Sequence, residues 1–253
     1  AIEHVWRQHP RCVVSRVGEI TRKVAPFALR IAYEYVSPPA DESKDRRDAR
    51  YAQRATELRE LLTALGPTFI KFGQALSIRP DVLPPPAVYE LQKLCDAVPS
   101  YPTEQALQLI EAELGAPPST IFDGLDEHST PIAAASLGQV YRCRLRDGGQ
   151  EVALKVQRPD MIRAVSLDLY LLRNYMLGVE WFKKKVLTGV FGAADRDAFD
   201  VNLLDTFARA SYLELDYRQE ASNLERFQAE LVPRLGGKVY VPECHRRVTS
   251  RKV

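Results

Sequence analysis

The chain has 253 residues, and 45% of them are hydrophobic, which is enough for one large domain or two small ones. The 35 Lys and Arg residues nearly balance the 33 Asp and Glu residues, so the net charge of +2 gives no electrostatic case for nucleic acid as a partner. No stretch is apolar for long enough to cross a bilayer, and no transmembrane helix is expected in these residues.

The cysteines and histidines give no indication of a metal site. Cys12, Cys95, Cys143 and Cys244 lie far apart without a CxxC pair, and the four histidines lack the spacing of zinc ligands. We therefore predict reduced, mostly buried thiols and no metal-ligating residue. Disulfides are the alternative.

From Ala1 to about Gly115 the apolar residues follow a helical period. The segment Val13–Tyr35 has apolar residues at helical spacing with basic residues between them, which favours an ordinary packing helix. A helix lying on a membrane surface is the alternative. The charged run Asp41–Arg50 predicts the solvated start of a helix that continues over Ala52–Leu65.

From about Pro131 the apolar period changes to two, which is typical of strands. A small antiparallel sheet with a long helix is predicted, and this is the α+β plan of the N-terminal lobe of a protein kinase. The predicted strands are Ile132–Val140, Tyr141–Leu145, Glu151–Gln157, Val239–Val241 and Val248–Val253, and the predicted helices are Asp160–Leu177 and about Ala198–Leu231.

Lys155 lies in the strand sequence "EVALKVQ", in which alternation puts Val152 and Leu154 on one face and Ala153 and Lys155 on the other. A lysine on the inner face of a sheet needs an anionic partner, because an unpaired buried ammonium is costly. In protein kinases this lysine pairs with ATP phosphates and with a helix glutamate. A lysine at a sheet edge is the alternative.

An acidic cluster follows in "LELDYRQEASN". At the helical period Asp216, Glu220 and Asn223 share one face, whereas Glu214 points away from them. Two like charges on one face repel each other unless a cation lies between them, although a solvated acidic face is the alternative. With Lys155 upstream, Glu220 is predicted as the glutamate that orients this lysine.

The stretch "PIAAASLGQV", residues 131–140, holds the position of a loop that covers phosphates, but alanine stands where glycine is usual. Alanine restricts the backbone and adds a methyl group where glycine lets the chain approach phosphate closely. Such a turn should hold nucleotide in a different pose and disfavour ordinary protein phosphorylation, and a plain hairpin is the alternative. The predicted nucleotide-binding residues are Ala133, Ala134, Ala135, Ser136, Leu137, Gly138, Val140, Ala153 and Lys155.

Lys71 and Gln74 lie three residues apart in "GPTFIKFGQALS", in a short helix that Pro67 is predicted to begin. Apolar residues surround the pair. A lysine that snorkels from the end of an apolar helix is the commoner case, and the spacing alone leaves its role open.

Three motifs in this order resemble those of one family. Lys71-Phe72-Gly73-Gln74 matches a KxGQ motif, residues 133–136 an alanine-rich loop, and Glu214-Leu215-Asp216 an ExD motif. Together with "VALKVQRP" they resemble the UbiB family of atypical kinases, the aarF-domain-containing proteins. The resemblance runs from about Leu58 to the end of the chain, and "KLCDAVPSYPTEQAL" is similar to the plastid and cyanobacterial branch.

This resemblance implies a kinase-like fold that binds ATP and Mg and supports prenyl-quinone metabolism, either of ubiquinone or of plastoquinone and tocopherol. It implies a membrane-associated protein whose partners are prenyl-quinone lipids or quinone-biosynthesis proteins. The implied location is the chloroplast (plastoglobule or thylakoid), with the mitochondrion or a bacterial membrane as alternatives. A non-catalytic nucleotide-sensing or scaffold module is the alternative function. The residues given catalytic roles by the resemblance are Lys155, Glu220, Lys71, Gln74, Glu214 and Asp216.

The predicted domains are an N-terminal helical region at residues 1–57, a KxGQ helical extension at 58–130 and a kinase-like N-terminal lobe at 131–253. The sequence departs from the family because it holds neither a catalytic-loop Asp motif nor a DFG-type Asp. It also lacks an initiator Met. We therefore expect a fragment without the second lobe, which alone binds nucleotide weakly and transfers no phosphate.

The resemblance also places Lys71 against the ExD acids, with Glu214 as the favoured partner. If the KxGQ helix is held in this way, the Lys71 ammonium should lie within ion-pair distance of Glu214 or Asp216, and a partly buried pair should contribute more than a surface one. A crystal structure of the natural protein is the measurement. A Lys71 that points into solvent, far from all of these acids, would restore the snorkelling interpretation.

Overall fold

The computed structural model describes residues 2–37, 43–95, 99–182 and 201–253 of the chain. In these ranges helices predominate and one small antiparallel sheet is present, which confirms the predicted α+β class with a helical extension. The elements in chain order are α1 Ile2–Arg7, α2 Pro10–Val36, α3 Lys44–Leu65, α4 Pro67–Leu76, α5 Pro85–Gln92, α6 Thr103–Leu114, α7 Pro118–Ile121, β1 Phe122–Asp123, β2 Ala133–Ala134, β3 Gly138–Leu145, β4 Glu151–Gln157, α8 Met161–Phe182, α9 Val201–Glu214 and α10 Tyr217–Glu230.

The described residues form two compact units. The first contains those of Ala1–Val98 and Arg163–Phe207, and the second contains those of Pro99–Ile162 and Ala208–Val253. The division predicted from the sequence, at 57/58 and 130/131, stays a prediction.

Apolar residues of α3, α4 and α5 form the core of the first unit. As predicted, α3 ends before Gly66 and α4 begins at Pro67. At Gly73, α4 comes so close to its neighbours that an added Cβ would lie 2.5 Å from Leu94 Cδ1 and 2.8 Å from Leu62 Cδ1. The glycine of the KxGQ motif therefore permits close helix packing.

Helix α2 is 27 residues long, and none of its residues is fully buried. Ile20 and Val24 pack against the core of the first unit, whereas Leu29, Tyr33 and Tyr35 are exposed. The packing interpretation therefore holds for one part of α2, and the membrane-surface alternative stays open for its last turns. Among the described helices, none combines the length and the apolar character that a membrane crossing needs.

A buried ion pair joins α2 and α8 within the first unit. Arg16 Nε donates to Asp168 Oδ1 at 2.8 Å and Arg16 Nη2 donates to Asp168 Oδ2 at 3.0 Å. The Asp168 side chain is only 2% exposed, while Arg16 also donates to the Leu65 carbonyl at the end of α3. Burying these charges is tolerable because the two-pronged geometry satisfies both partners.

In the second unit, β3 lies at the centre of a four-stranded sheet and pairs with β1, β2 and β4. All three pairings are antiparallel, and Val140 on β3 faces Lys155 on β4. A turn at residues 146–148 closes the β3–β4 hairpin. One face of the sheet packs with α6 in a core that contains Ile110, Phe122 and Val156.

A buried polar network lies beneath this sheet. The Gln139 side chain, 0% exposed, exchanges hydrogen bonds with the backbone N–H and C=O of Tyr101 at 3.1 and 3.2 Å. The Tyr101 hydroxyl donates to the Gln157 carbonyl at 2.9 Å. These bonds attach the segment before α6 to β3 and β4, because leaving such buried groups unpaired would be costly.

Several predicted elements are corrected. The strand predicted over Ile132–Val140 is interrupted at residues 135–137, because the Ala135 N–H donates to the Gly138 carbonyl at 2.7 Å and closes a turn. The helix predicted over Ala198–Leu231 breaks at residues 215–216 into α9 and α10, and its predicted first three residues lie outside the described ranges. Residues 239–241 are irregular and residues 248–253 contain the end of a 3₁₀ turn, so neither is a strand, although the Lys252 carbonyl accepts one bond from the Gln157 N–H of β4 at 2.9 Å.

The four cysteines are free thiols, but the prediction that they are mostly buried is wrong. Cys143 on β3 is buried, Cys95 is exposed, and the other two are partly exposed. Burial raises the pKa of the Cys143 thiol to about 11.

The Arg16–Asp168 pair gives a test of the first unit. Asp168→Asn should lower the free energy of unfolding by about 1–3 kcal/mol, because it leaves Glu19 as the one carboxylate bonded to Arg16 and puts an amide in a buried position that held a carboxylate. Asp81→Asn removes an acid from the exposed Arg79–Asp81 pair, and its cost should stay below about 1 kcal/mol. Urea unfolding followed by tryptophan fluorescence measures both, since Trp6 and Trp181 belong to the first unit. Equal costs for the two variants would contradict this account.

Candidate functional site

Lys155 and Glu220 form an ion pair in the second unit. Lys155 alternates on β4 with Leu154 and Val156, which are buried in the core, so that its own side chain leaves the opposite face of the strand. Its Nζ lies 2.5 Å from Glu220 Oε2 on α10. The predicted partner of Lys155 is therefore confirmed, while the catalytic roles of the two residues stay predictions.

Tyr217 supports this pair, and the sequence reasoning missed it. The ring centroid lies 4.6 Å from Lys155 Nζ, a distance at which an aromatic face attracts a cation. The side chain is only 5% exposed, and its hydroxyl has no hydrogen-bond partner among the described residues. Burial raises the Tyr217 pKa, so the hydroxyl stays protonated. The available sequence signal was its position directly after the ExD motif.

The predicted acids line one cavity of about 800 Å³ together with Lys155 and Tyr217. Glu214 is one of them, so the prediction that it points away from the others is wrong. That prediction assumed a continuous helix, and the break between α9 and α10 redirects the chain at residues 215–216. The polar lining residues are Lys155, Glu214, Asp216, Gln219, Glu220 and Asn223.

Asp216 has two structural partners of its own. It is the N-cap of α10, and its carboxylate accepts from the Arg218 backbone N–H at 3.1 Å. The Arg218 guanidinium adds bonds of 2.9 and 2.6 Å. The Arg218 side chain thereby lowers the pKa of Asp216. The repulsion between Asp216 and Glu220 is therefore relieved by two separate cations, Arg218 beside Asp216 and Lys155 beside Glu220.

A second cavity, of about 430 Å³, shares Lys155, Tyr217 and Glu220 with the first. It brings together Val140 and Ala153, which were predicted to contact nucleotide, with this ion pair. Of the predicted phosphate turn, Leu137 lines the larger cavity. The other turn residues, Ala133, Ala134, Ala135, Ser136 and Gly138, line neither of these two cavities.

Gly138 is glycine for a steric reason. A Cβ added here would collide with the Val156 carbonyl oxygen and would lie 2.6 Å from the Tyr217 hydroxyl oxygen. The first obstacle is backbone of the paired strand, which cannot move without breaking the register Gly138↔Gln157. The one glycine of the turn therefore makes room for Tyr217.

The KxGQ residues Lys71 and Gln74 lie on α4 in the first unit. Gln74 Nε2 donates to the Leu94 carbonyl at 2.9 Å, which attaches α4 to the turn after α5. This contact gives Gln74 a structural role within its own unit. The pairing of Lys71 with the ExD acids stays a prediction.

Comparison with known proteins identifies the family. Residues 93–253 match the model of the ABC1 atypical kinase-like domain. The chain belongs to this family, which is the UbiB or aarF family predicted from the motifs.

Relatives of this ABC1 family member include proteins of cyanobacteria and plants. An uncharacterised protein of Synechocystis sp. is 40% identical over 252 residues, which are 100% of this chain and 34% of that protein. ACTIVITY OF BC1 COMPLEX KINASE 3, a chloroplastic protein of Arabidopsis thaliana, is 39% identical over 254 residues, which are 99% of this chain and 33% of that protein. An uncharacterised chloroplastic aarF domain-containing protein kinase of the same plant is 39% identical over 236 residues. The chain thus spans about a third of the length of these relatives, and they fit the predicted plastid and cyanobacterial branch.

The close packing at Gly138 gives a test of the site in this ABC1 domain. Gly138→Ala should destabilise the second unit by about 1–3 kcal/mol, the usual cost of overpacking. Gly18→Ala on α2 is the control, because nothing lies within 4 Å of its added Cβ, and it should be neutral or stabilising. Thermal unfolding of both variants is the measurement.

Tyr217→Phe in the Gly138→Ala background should restore part of the lost stability, since it removes one of the two obstacles. Its failure to restore any, or an equal loss in Gly18→Ala, would disprove the steric explanation.

Proposed function

We propose that this ABC1 domain binds ATP in the cavities that meet at Lys155, and that it serves an UbiB-type kinase or ATPase. The ion pair between Lys155 and Glu220 is the observation that supports the proposal. An ammonium held between a carboxylate and an aromatic face is positioned before a ligand arrives, so little further ordering is needed when phosphate binds. Family membership supports a kinase-like protein.

In the proposed mechanism Lys155 contacts nucleotide phosphate and Glu220 orients Lys155. Val140 and Ala153 line the cavity beside them and are proposed to contact the base. Catalysis of phosphoryl transfer depends on positioning and on neutralising charge, and Lys155 supplies one such charge. The general base and the other charges are assigned to no residue of this chain.

Mg is proposed as the partner of ATP, but the described residues offer no site built for it. The described acids and thiols include no group of three or more that could hold a metal ion. Asp216 lies in the larger cavity, yet its carboxylate is already occupied by Arg218 and by the start of α10. No step through a metal is therefore assigned to these acids.

The proposed pathway is prenyl-quinone metabolism in a chloroplast, at plastoglobules or thylakoids. Support comes from relatives that are named as chloroplastic and from the family resemblance of the motifs. The proposed partners are prenyl-quinone lipids or quinone-biosynthesis proteins at a membrane surface. The exposed apolar residues in the last turns of α2 are compatible with that surface.

A non-catalytic nucleotide sensor or scaffold is the second candidate function. The turn favours it, because three consecutive alanines stand where close approach to phosphate normally relies on glycine. A sensor would bind ATP without turning it over.

Lys155→Met in the full-length natural protein tests the proposal. It should weaken ATP binding by about tenfold or more, the equivalent of one lost charge-assisted bond, and it should abolish ATP hydrolysis. The melting temperature should hardly change, because a partly exposed ion pair contributes about 1 kcal/mol or less. Titration calorimetry and an ATPase assay give the two readouts.

Lys238→Met is the matched control, since this exposed lysine of the same unit has no ion-pair partner among the described residues. Full ATP binding and hydrolysis by Lys155→Met would refute the proposal. Lys155-dependent binding without any hydrolysis by the wild type would favour the sensor.

A further inference from the structure

Arg158, directly after β4, holds the alanine-rich turn at its backbone. Its Nε and Nη2 atoms both lie 3.3 Å from the Ala135 carbonyl oxygen, and its own backbone N–H donates to the Leu137 carbonyl at 2.9 Å. Nη2 also donates to the Pro99 carbonyl. A single residue thus binds two carbonyls of the turn and a third in the segment before α6.

Within the described ranges, no carboxylate pairs with this guanidinium. It lies instead 5.4 Å from the ring centroid of Tyr101, which the Gln139 and Gln157 contacts already fix beneath the sheet. Arg158 is half-buried, and this burial lowers its pKa. Partly burying the guanidinium costs solvation free energy. Because its N–H groups have a rigid, planar arrangement, its bonds to carbonyls fix the orientation of the backbone that carries them.

The orientation of the Ala135 carbonyl has a consequence for the next residue. In a trans peptide the C=O and the following N–H point in opposite directions. When the Ala135 carbonyl faces Arg158, the Ser136 N–H therefore faces away from it. Ser136 is only 5% exposed, yet its N–H donates to no acceptor among the described residues.

The N–H groups of this turn differ in what they bind. The Ala135 N–H is satisfied by the Gly138 carbonyl, which closes the turn. The N–H groups of Ser136 and Leu137 find no acceptor within the described ranges, and Leu137 lines the larger cavity beside Lys155. Successive backbone N–H groups left open in a tight turn form a concave site that suits an anion.

We propose that Arg158 is a positioning residue that fixes the peptide between Ala135 and Ser136, so that the open N–H groups of Ser136 and of Leu137, which lines the larger cavity, are held ready to donate to nucleotide phosphate. This inference rests on the proposed function, because it takes the ligand to be ATP. A glycine-rich loop reaches phosphate through freedom of its backbone. In the alanine turn, by contrast, Arg158 lies outside the turn and selects one orientation of the Ala135–Ser136 peptide.

The test compares Arg158→Met and Arg158→Lys with the control Arg144→Met in the full-length natural protein. Arg144 is an exposed arginine on β3 that faces Glu151 across the strand pair and makes no bond to the turn, so its replacement removes the same charge without touching residues 133–138. Amide hydrogen exchange of the peptide covering residues 133–138 is measured without nucleotide. Calorimetry then compares ATP with adenosine, which carries no phosphate.

Arg158→Met should speed exchange in residues 133–138 by about tenfold or more and should weaken ATP about tenfold relative to adenosine. Arg144→Met should change neither quantity. Arg158→Lys keeps the charge but not the fork, so it should restore only part of the ATP affinity. Full restoration by lysine would show a role of charge alone and would overturn the positioning role.

The two proposals fail in different ways. If the wild type binds ATP through Lys155 but Arg158→Met leaves both the exchange rates and the ratio of ATP to adenosine affinity unchanged, this inference alone is wrong. If the wild type binds no ATP, the proposed function fails and the phosphate role of Ser136 fails with it. An equal loss of ATP and adenosine affinity in Arg158→Met would indicate a merely structural arginine.

Discussion

The packing of the Tyr217 side chain against the sheet determines where its neighbours can lie. Together with the Val156 carbonyl, its hydroxyl fills the space that a side chain at residue 138 would need, so β3 begins with glycine. Its ring attracts the Lys155 ammonium. Because Tyr217 is also the first residue of α10, its position places Glu220 one turn later, within reach of Lys155. One buried aromatic residue thus connects the turn, the lysine and the glutamate.

The ExD motif has a structural role here besides its charge. Asp216 ends the break between α9 and α10 by capping α10, and an acid at a helix N-terminus also interacts favourably with the helix dipole. A substitution of Asp216 would therefore disturb the helix that carries Glu220. Any loss of activity in such a variant would combine a change of chemistry with a change in the position of Glu220.

The parts of the fold that the sequence predicted are those governed by local patterns. Alternation along β4 put Leu154 and Lys155 on opposite faces, as observed, and the order Gly66-Pro67 located the end of α3 and the start of α4. The pairing of Lys155 with Glu220 was predicted because a kinase lysine in this strand pairs with a helix glutamate, and the helical period put Glu220 on an acidic face downstream.

The missed features depend on contacts that leave little signal in the sequence. The helical period continues through residues 215–216, so the sequence pattern gave no sign of the break that the extended backbone of Asp216 makes there. The segment 239–241 has a strand-like composition but pairs with no strand in the part of the chain that the structure describes. Arg158 binds carbonyls, which every residue carries, and therefore no particular side chain in the sequence indicates its partner.

The buried thiol of Cys143 has a kinetic consequence. It is 4% exposed on the central strand, and its pKa of about 11 leaves almost no thiolate at neutral pH. An alkylating reagent can therefore modify it only during moments when the sheet opens, so the labelling rate counts those openings. The exposed Cys95 of the first unit reacts without such an opening and reports the intrinsic speed of the reagent. The ratio of the Cys143 and Cys95 alkylation rates therefore reports local opening of the sheet that bears Lys155.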